Sequence, residues 1–255
     1  MTISMKRHSI FQIRGLFSSA RKTVAIAFMA VVAMPAIAQE STGTFSLIPK
    51  VGLSLANISN YELYYLKETA FYTEGVAKGK YNSRFMGGVE AEYQAFPTTS
   101  LSLGVFYSRQ GCRISDLEFV GMAKVREELD DIRQSLDYIN VPFTVNQYLT
   151  DGLAIKAGVQ LGFLLNSELS YESTTFTKKE GDIWEMSKKE DIAADDKSLR
   201  NSLDVSIPIG LSYEYLNVVI DARYHLGLTR LYKDSSFPKE KNQLITLSVG
   251  YKFNL

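Results

Sequence analysis

The C-terminal stretch Leu247–Leu255 reads LSVGYKFNL. Taken alternately, Leu247, Val249, Tyr251, Phe253 and Leu255 form an apolar set, and Ser248, Gly250, Lys252 and Asn254 a polar one. A β-strand turns successive side chains to opposite faces, so the stretch predicts a two-faced strand. It runs to the last residue, where an unpaired strand would fray. Something must pair with it, and its apolar side must face a core or a lipid.

Seven similar runs precede it, each of about 10 to 14 residues by the same alternation. SLIPKVGLSLANI sets Val51, Leu53 and Leu55 on one face, and SRFMGGVEAEYQAF opposes Phe85, Val89, Ala91 and Tyr93 to Glu90 and Glu92. LSLGVFYSRQ carries Leu101, Leu103, Val105 and Tyr107. DYINVPFTVNQYL opposes Ile139, Val141, Phe143 and Val145 to Asn140, Thr144 and Asn146. LAIKAGVQLGFLL sets Ile155, Val159, Leu161 and Phe163 against Lys156 and Gln160. LDVSIPIGLSYEY sets Val205, Ile207, Ile209, Leu211 and Tyr213 against Asp204, Ser206 and Glu214. VVIDARYHLGL sets Ile220, Ala222, Tyr224 and Leu226 against Asp221, Arg223 and His225.

The links alternate in length. Pro97–Ser100, Thr150–Gly152 and the pair Leu216-Asn217 are tight turns, whereas 59–82, 111–136, 166–200 and 229–241 are long. An antiparallel meander with short turns at one end and long loops at the other is the plan of an outer-membrane barrel. Eight strands leave both termini on the short-turn, periplasmic side.

Alternation alone does not separate that barrel from a soluble, lipocalin-like one, which would bury the apolar face. Strand length favours the membrane, since a tilted crossing takes about 9–11 residues and soluble strands average about 5–6. So do the aromatics. Tyr93, Phe96, Tyr148, Tyr213, Tyr215, Tyr251 and Phe253 gather near the short turns, and Phe85, Tyr107, Phe163 and Tyr224 at the other end. Amphipathic rings settle at headgroup level, although Tyr and Phe also favour strands in general.

The front of the chain fits a different purpose. Lys6, Arg7, Arg14, Arg21 and Lys22 precede the apolar run 24–38, which ends in Ala36-Ile37-Ala38. That is the pattern of a cleaved secretory signal peptide, and the run is short for a transmembrane anchor of about 20 residues. The expected organisation is a signal peptide at 1–38 and a barrel domain at 39–255. Cleavage removes five of the 28 basic residues, leaving 23 against 28 acids, which argues against nucleic-acid binding. Cys112 is the lone cysteine, so no disulfide forms within one chain.

From KVGLSLANI to LSVGYKFNL the chain resembles the porin-like, PorT-type outer membrane beta-barrel proteins of the Bacteroidetes. DYINVPFTVNQYL and VVIDARYHLGLTRL are similar to that family's recurring strands. The resemblance implies an all-β, eight-stranded antiparallel up-and-down transmembrane β-barrel with short periplasmic turns and long extracellular loops. It implies no single activity, and some relatives serve a secretion apparatus. Ser248, Gly250, Phe253 and Leu255 also resemble the C-terminal signal read by the barrel-assembly machinery, with Phe253 in the aromatic role.

An eight-stranded barrel is just wide enough for side chains to fill. Glu90, Glu92, Asp204, Glu214 and Asp221 are therefore expected to pair inside with Lys156, Arg223 and Lys252 as a plug, with a narrow channel as the rival reading. His225, with Asp204 and Thr246, is the only constellation suggesting catalysis; no motif supports it, and a hydrogen-bonded lumen histidine is the preferred reading. Leaving that aside, a non-enzymatic role is expected: a structural or interaction barrel, or a subunit of a secretion or envelope complex. Partners are then outer-membrane lipid, the assembly machinery and an envelope protein met through the outer loops. No cofactor is implied. Asp191, Asp195 and Asp196 match no calcium loop.

Two loop segments carry their own patterns. In GMAKVREELDDIRQSL, Met122, Val125, Leu129, Ile132 and Leu136 recur at helical spacing, which predicts a short helix capping the mouth; the rival is that the strands continue past the bilayer. The charged link 166–200 is expected to be a solvated loop, with Trp184 as a contact for a partner or packed on its neighbours.

Overall fold

The computed structural model describes residues 41–59, 79–120, 125–180, 183–234 and 239–255. The expected signal peptide and most of the first long link lie outside the described residues. Twelve strands are present among the described residues: β1 (Phe45–Ser59), β2 (Gly79–Lys80), β3 (Asn82–Phe96), β4 (Thr99–Ile114), β5 (Leu117–Val120), β6 (Val125–Tyr148), β7 (Leu153–Lys178), β8 (Trp184–Asp195), β9 (Leu203–Tyr215), β10 (Val218–Gly227), β11 (Lys241–Tyr251) and β12 (Phe253–Asn254).

Eight of them close a ring. Antiparallel ladders join β1 to β3, β3 to β4, β4 to β6, β6 to β7, β7 to β9, β9 to β10, β10 to β11 and β11 back to β1. The closing seam sets Val51 opposite Val249 and Leu53 opposite Leu247. β12 extends it, with Leu47 opposite Phe253. Closure satisfies the backbone of every barrel strand, as a lipid surrounding demands. The turn at Leu216 and Asn217 has φ of 48° and 64°, the mirror-image geometry that matches the twist of a two-residue hairpin.

The faces decide between the two barrel types. Apolar side chains lie outside: Phe85 is 58% exposed, Leu247 51% and Ile220 52%. Polar ones lie inside: Glu90, Lys252 and Lys156 are buried. Water would not tolerate so continuous an apolar belt, and lipid requires it. The soluble rival, with its greasy face buried, is overturned. Aromatic rings bound the belt, with Phe45 and Tyr93 4.7 Å apart between centroids at one end. Tyr148 is the exception among the expected girdle residues. It shares parity with Asn146 and Thr144, so it turns inward and is buried.

Strands β4, β6 and β7 outrun the bilayer. β6 and β7 stay paired from the periplasmic turn to Val125 opposite Thr177. β5 and β8 flank them, making a four-stranded wall above the barrel. The expected capping helix is therefore absent over residues 125–136; the strand-extension alternative is the one adopted. A bulge explains the misleading spacing. Asp131 has φ 52° and the β6–β7 register shifts between Asp130 and Arg133. The extra residue lets Leu129 and Ile132 both point inward, imitating a helical i, i+3 pair. The expected loop 166–200 is likewise mostly a hairpin of β7 and β8, and Trp184 packs beneath Lys178, whose Nζ is 5.9 Å from the indole centroid.

Above the polar lumen the interior changes character. Ile58, Cys112, Ile114, Leu129, Ile132, Leu136, Tyr138, Leu164, Leu169 and Leu231 form one buried apolar cluster. The outer end is thus packed much like an ordinary protein core, apolar within apart from the buried Asp196–Arg200 pair and Glu240.

Candidate functional site

Alternation along the strands directs nine charged side chains into the barrel; eight form one ion network, and Asp204, expected within it, stands apart on Thr229 and Asn242. Glu90 sits at the centre on β3. Its Oε1 accepts from Lys50 Nζ at 2.8 Å and Lys156 Nζ at 3.1 Å, and its Oε2 from Arg223 Nη2 at 2.6 Å. Asp221 completes this layer: Arg223 Nε donates to Oδ1 at 2.7 Å, and Lys50 Nζ to Oδ2 at 3.0 Å. Nearer the periplasm, Glu92 accepts from Tyr148 Oη at 2.6 Å, Asn146 Nδ2 at 3.1 Å and Lys252 Nζ at 3.3 Å. Lys252 also donates to Glu214 at 3.1 Å.

Four cations, Lys50, Lys156, Arg223 and Lys252, face four acids, Glu90, Glu92, Glu214 and Asp221. The cluster is neutral as a set, and each member holds at least one opposite charge, which is what burial of ions requires. Backbone spacing makes room for it. At Gly250 a Cβ would stand 2.7 Å from Lys50 Cγ, so glycine lets that side chain pass. Lys50 is absent from the sequence expectation. It alternates with Val51 and Leu53 and was findable by parity, but Ile48 and Pro49 beside it mask the pattern.

The catalytic candidates are not assembled. His225 Nε2 and Thr246 Oγ1 are 3.2 Å apart, both buried. Asp204, by contrast, holds Thr229 Oγ1 at 2.5 Å and Asn242 Nδ2 at 3.1 Å. Pro208 is the β9 residue facing His225, and Asp204 lies four residues beyond it, about 13 Å along the strand. Among the described residues His225 Nδ1 has no protein partner, and the ring lines a cavity of about 20 Å³, room for about one water. No group of metal-ligating residues occurs among the described residues. Asp196 is instead buried against Arg200, which donates to it at 2.8 and 2.9 Å.

The four C-terminal residues expected to act as an address divide by face. Ser248 and Gly250 point to the lumen, while Phe253 and Leu255 are exposed. Leu255 N donates to Phe45 O at 2.8 Å, so the chain's end is tied to its first strand.

Solved structures of similar shape include Ail, the attachment invasion locus protein of Yersinia pestis, at 15% identity and TM-score 0.35, over 84% of this chain and 100% of that one. Neisserial surface protein A is similar at 14% identity and TM-score 0.36, over 82% and 97%. OprG of Pseudomonas aeruginosa is similar at 12% identity and TM-score 0.33, over 83% and 97%. No curated protein matches. The family profile described as "Outer membrane protein beta-barrel domain" matches residues 37–233, most of the sequence and seven of the eight ring strands. A closed ring of eight strands with a lipid-suited belt and a charged lumen belongs with that match, and the chain is a member of the outer membrane protein beta-barrel domain family.

Proposed function

We propose that this protein is a non-conducting, non-enzymatic barrel that carries a folded interaction surface outside the outer membrane. The observation behind the reading is the double filling of the bore: a charge-neutral ion network below and an apolar core above it. Among the described residues, such an interior leaves no continuous path for solute and no open cleft for substrate. The wall of β5 to β8 is then the part available to an envelope partner, with Trp184 on it. On this reading the chain is exported by a cleaved signal peptide at 1–38, and the assembly machinery reads Ser248, Gly250, Phe253 and Leu255. Affiliation with the PorT-type proteins of the Bacteroidetes, and with them a place in a secretion or envelope complex, is the narrower form of the same proposal; the repeated strand patterns support it.

Planar-bilayer recording tests the sealed bore. The purified barrel is expected to stay silent across the accessible voltage range, and stepwise single-channel currents from folded wild-type protein would overturn the reading.

A further inference from the structure

The strap formed by residues 228–233, which follows β10, turns inward. Leu231 and Tyr232 are buried, and Leu231 belongs to the same apolar cluster as Cys112. Residues 230–233 are held chiefly by one other segment, 198–201, which lies between β8 and β9. Asn201 N donates to Leu231 O at 2.7 Å, and Asn201 Nδ2 to Arg230 O at 2.8 Å and Tyr232 O at 3.0 Å. Lys233 N donates to Leu199 O at 3.1 Å, and Arg200 Nη2 to Tyr232 Oη at 3.1 Å.

Arg200 is fixed from its other side as well. Its Nε and Nη2 donate to Asp196 Oδ2 at 2.9 and 2.8 Å, and both side chains are buried. Asp196 directly follows Asp195, the last residue of β8. Its Oδ1 accepts from Ser167 Oγ on β7 at 2.5 Å and from Gln134 Nε2 on β6 at 3.2 Å. One ion pair therefore joins the foot of the β7–β8 hairpin to the strap. Removing one partner of a buried pair leaves an uncompensated charge, so such a joint holds while both ends are in place and fails when one end moves. β8 is the end free to move. It is exposed along nearly its whole length and pairs, among the described residues, with β7 alone.

We propose that the strap 228–233 is a lid on the outer apolar cluster, bolted through Arg200 and Asp196 to the foot of β8, and that a partner displacing β8 releases it. The trigger rests on the reading of the wall as the partner-binding part. Release uncovers the cluster and leaves the ion network below it shut, so the bore stays silent with the lid open or closed.

Cys112 reports the lid, because it lies in the cluster within electrostatic reach of Arg200. Iodoacetamide labelling of the detergent-solubilised full barrel reads its exposure. Arg200→Gln is expected to speed labelling at least about tenfold while keeping the heat-modifiable gel mobility. If that variant does not fold, Asn201→Ala serves: it cuts two of the strap's bonds and is expected to speed labelling severalfold. The variant K188P/K189P reads the coupling. Adjacent strand residues turn their N–H groups to opposite sides, so one of the two prolines removes a β7–β8 bond. It is expected to speed labelling severalfold alone and to add nothing on top of Arg200→Gln, since the bolt it acts through is then gone. Wild-type labelling rates in folded Arg200→Gln or Asn201→Ala would overturn the lid. A folded K188P/K189P that labels as slowly as wild type, or effects that multiply in the combined variant, would overturn the coupling. Neither result touches the sealed bore, which bilayer recording tests separately.

Discussion

Lys50 Nζ stands 2.8 Å from Glu90 Oε1, one diagonal step across the β1–β3 ladder, with both side chains only 1% exposed. Glu90 also holds Lys156 and Arg223, so its carboxylate serves three cations at once. Neutralising it leaves those three facing Asp221 and the more distant Glu92. Glu90→Gln is expected to destabilise the folded barrel by about 3–5 kcal/mol, the usual cost of an uncompensated buried charge. The midpoint of urea unfolding in detergent, followed by the heat-modifiable band, measures it. Adding Lys50→Met is expected to restore part of the loss, giving a coupling of about 1–3 kcal/mol. A single-variant loss below about 1 kcal/mol would show that the network is not a structural plug.

Gly111 has φ +114°, and a Cβ there would stand 2.0 Å from Gln134 O. Gly111→Ala is expected to cost more than about 1 kcal/mol, localised to the outer wall where β4 leaves the bilayer. Limited proteolysis should then cut within residues 111–136 in the variant while the membrane-embedded ring stays intact. Wild-type resistance in the variant would remove the strain argument.

Cys112 lies in the outer apolar cluster, fully buried, and burial pushes its thiol up from 9.0 to about 12. The folded protein should resist iodoacetamide at neutral pH and react only once unfolded in urea. The raised value also fixes a direction. Above about pH 9 the unfolded chain ionises first, so stability of the outer cluster falls as pH rises from there towards 12. Rapid alkylation of the native barrel would mean that the cluster opens readily.

Truncation after Lys252 removes β12, and with it the pairing of Phe253 to Leu47 and the bond from Leu255 to Phe45. The shortened chain is expected to accumulate outside the outer membrane, because the last strand both closes the seam and carries the proposed assembly address. Fractionation with gel mobility reads the outcome, and normal insertion would refute the role of these residues.

Much of the architecture is written in plain alternation. Parity places Glu90, Glu92, Lys156, Asp221, Arg223 and Lys252 inside and Leu247, Ile220 and Phe85 outside, because a strand leaves a side chain only two directions. Applied strictly, the same rule also gives Lys50 and Tyr148. What parity cannot carry is a change of register. At Asp131 one inserted residue turns a strand pattern into an apparent helical one, and only the partner strand reveals the difference. The β7–β8 hairpin is hidden for another reason: Tyr171, Thr174, Thr175 and Phe176 have good strand propensity, but the following charged run dominates the composition. The contacts of Asp204 depend on Thr229 and Asn242, which come from other segments, so no linear pattern announces them.

The reversal of interior chemistry at the upper aromatic ring has a mechanical consequence. Along β4 the outward residue is Tyr107, then Arg109, then Arg113, while the inward residue passes from Ser108 to Cys112 and Ile114. Sinking the molecule by a few residues would drag guanidinium groups into hydrocarbon, and lifting it would strand Tyr107 and Phe85 in water. Lipid-facing cations cost up to about 2–4 kcal/mol each as they approach mid-bilayer. The strand therefore works as a depth gauge with a stop at either end, holding the outer wall at a fixed height above the surface.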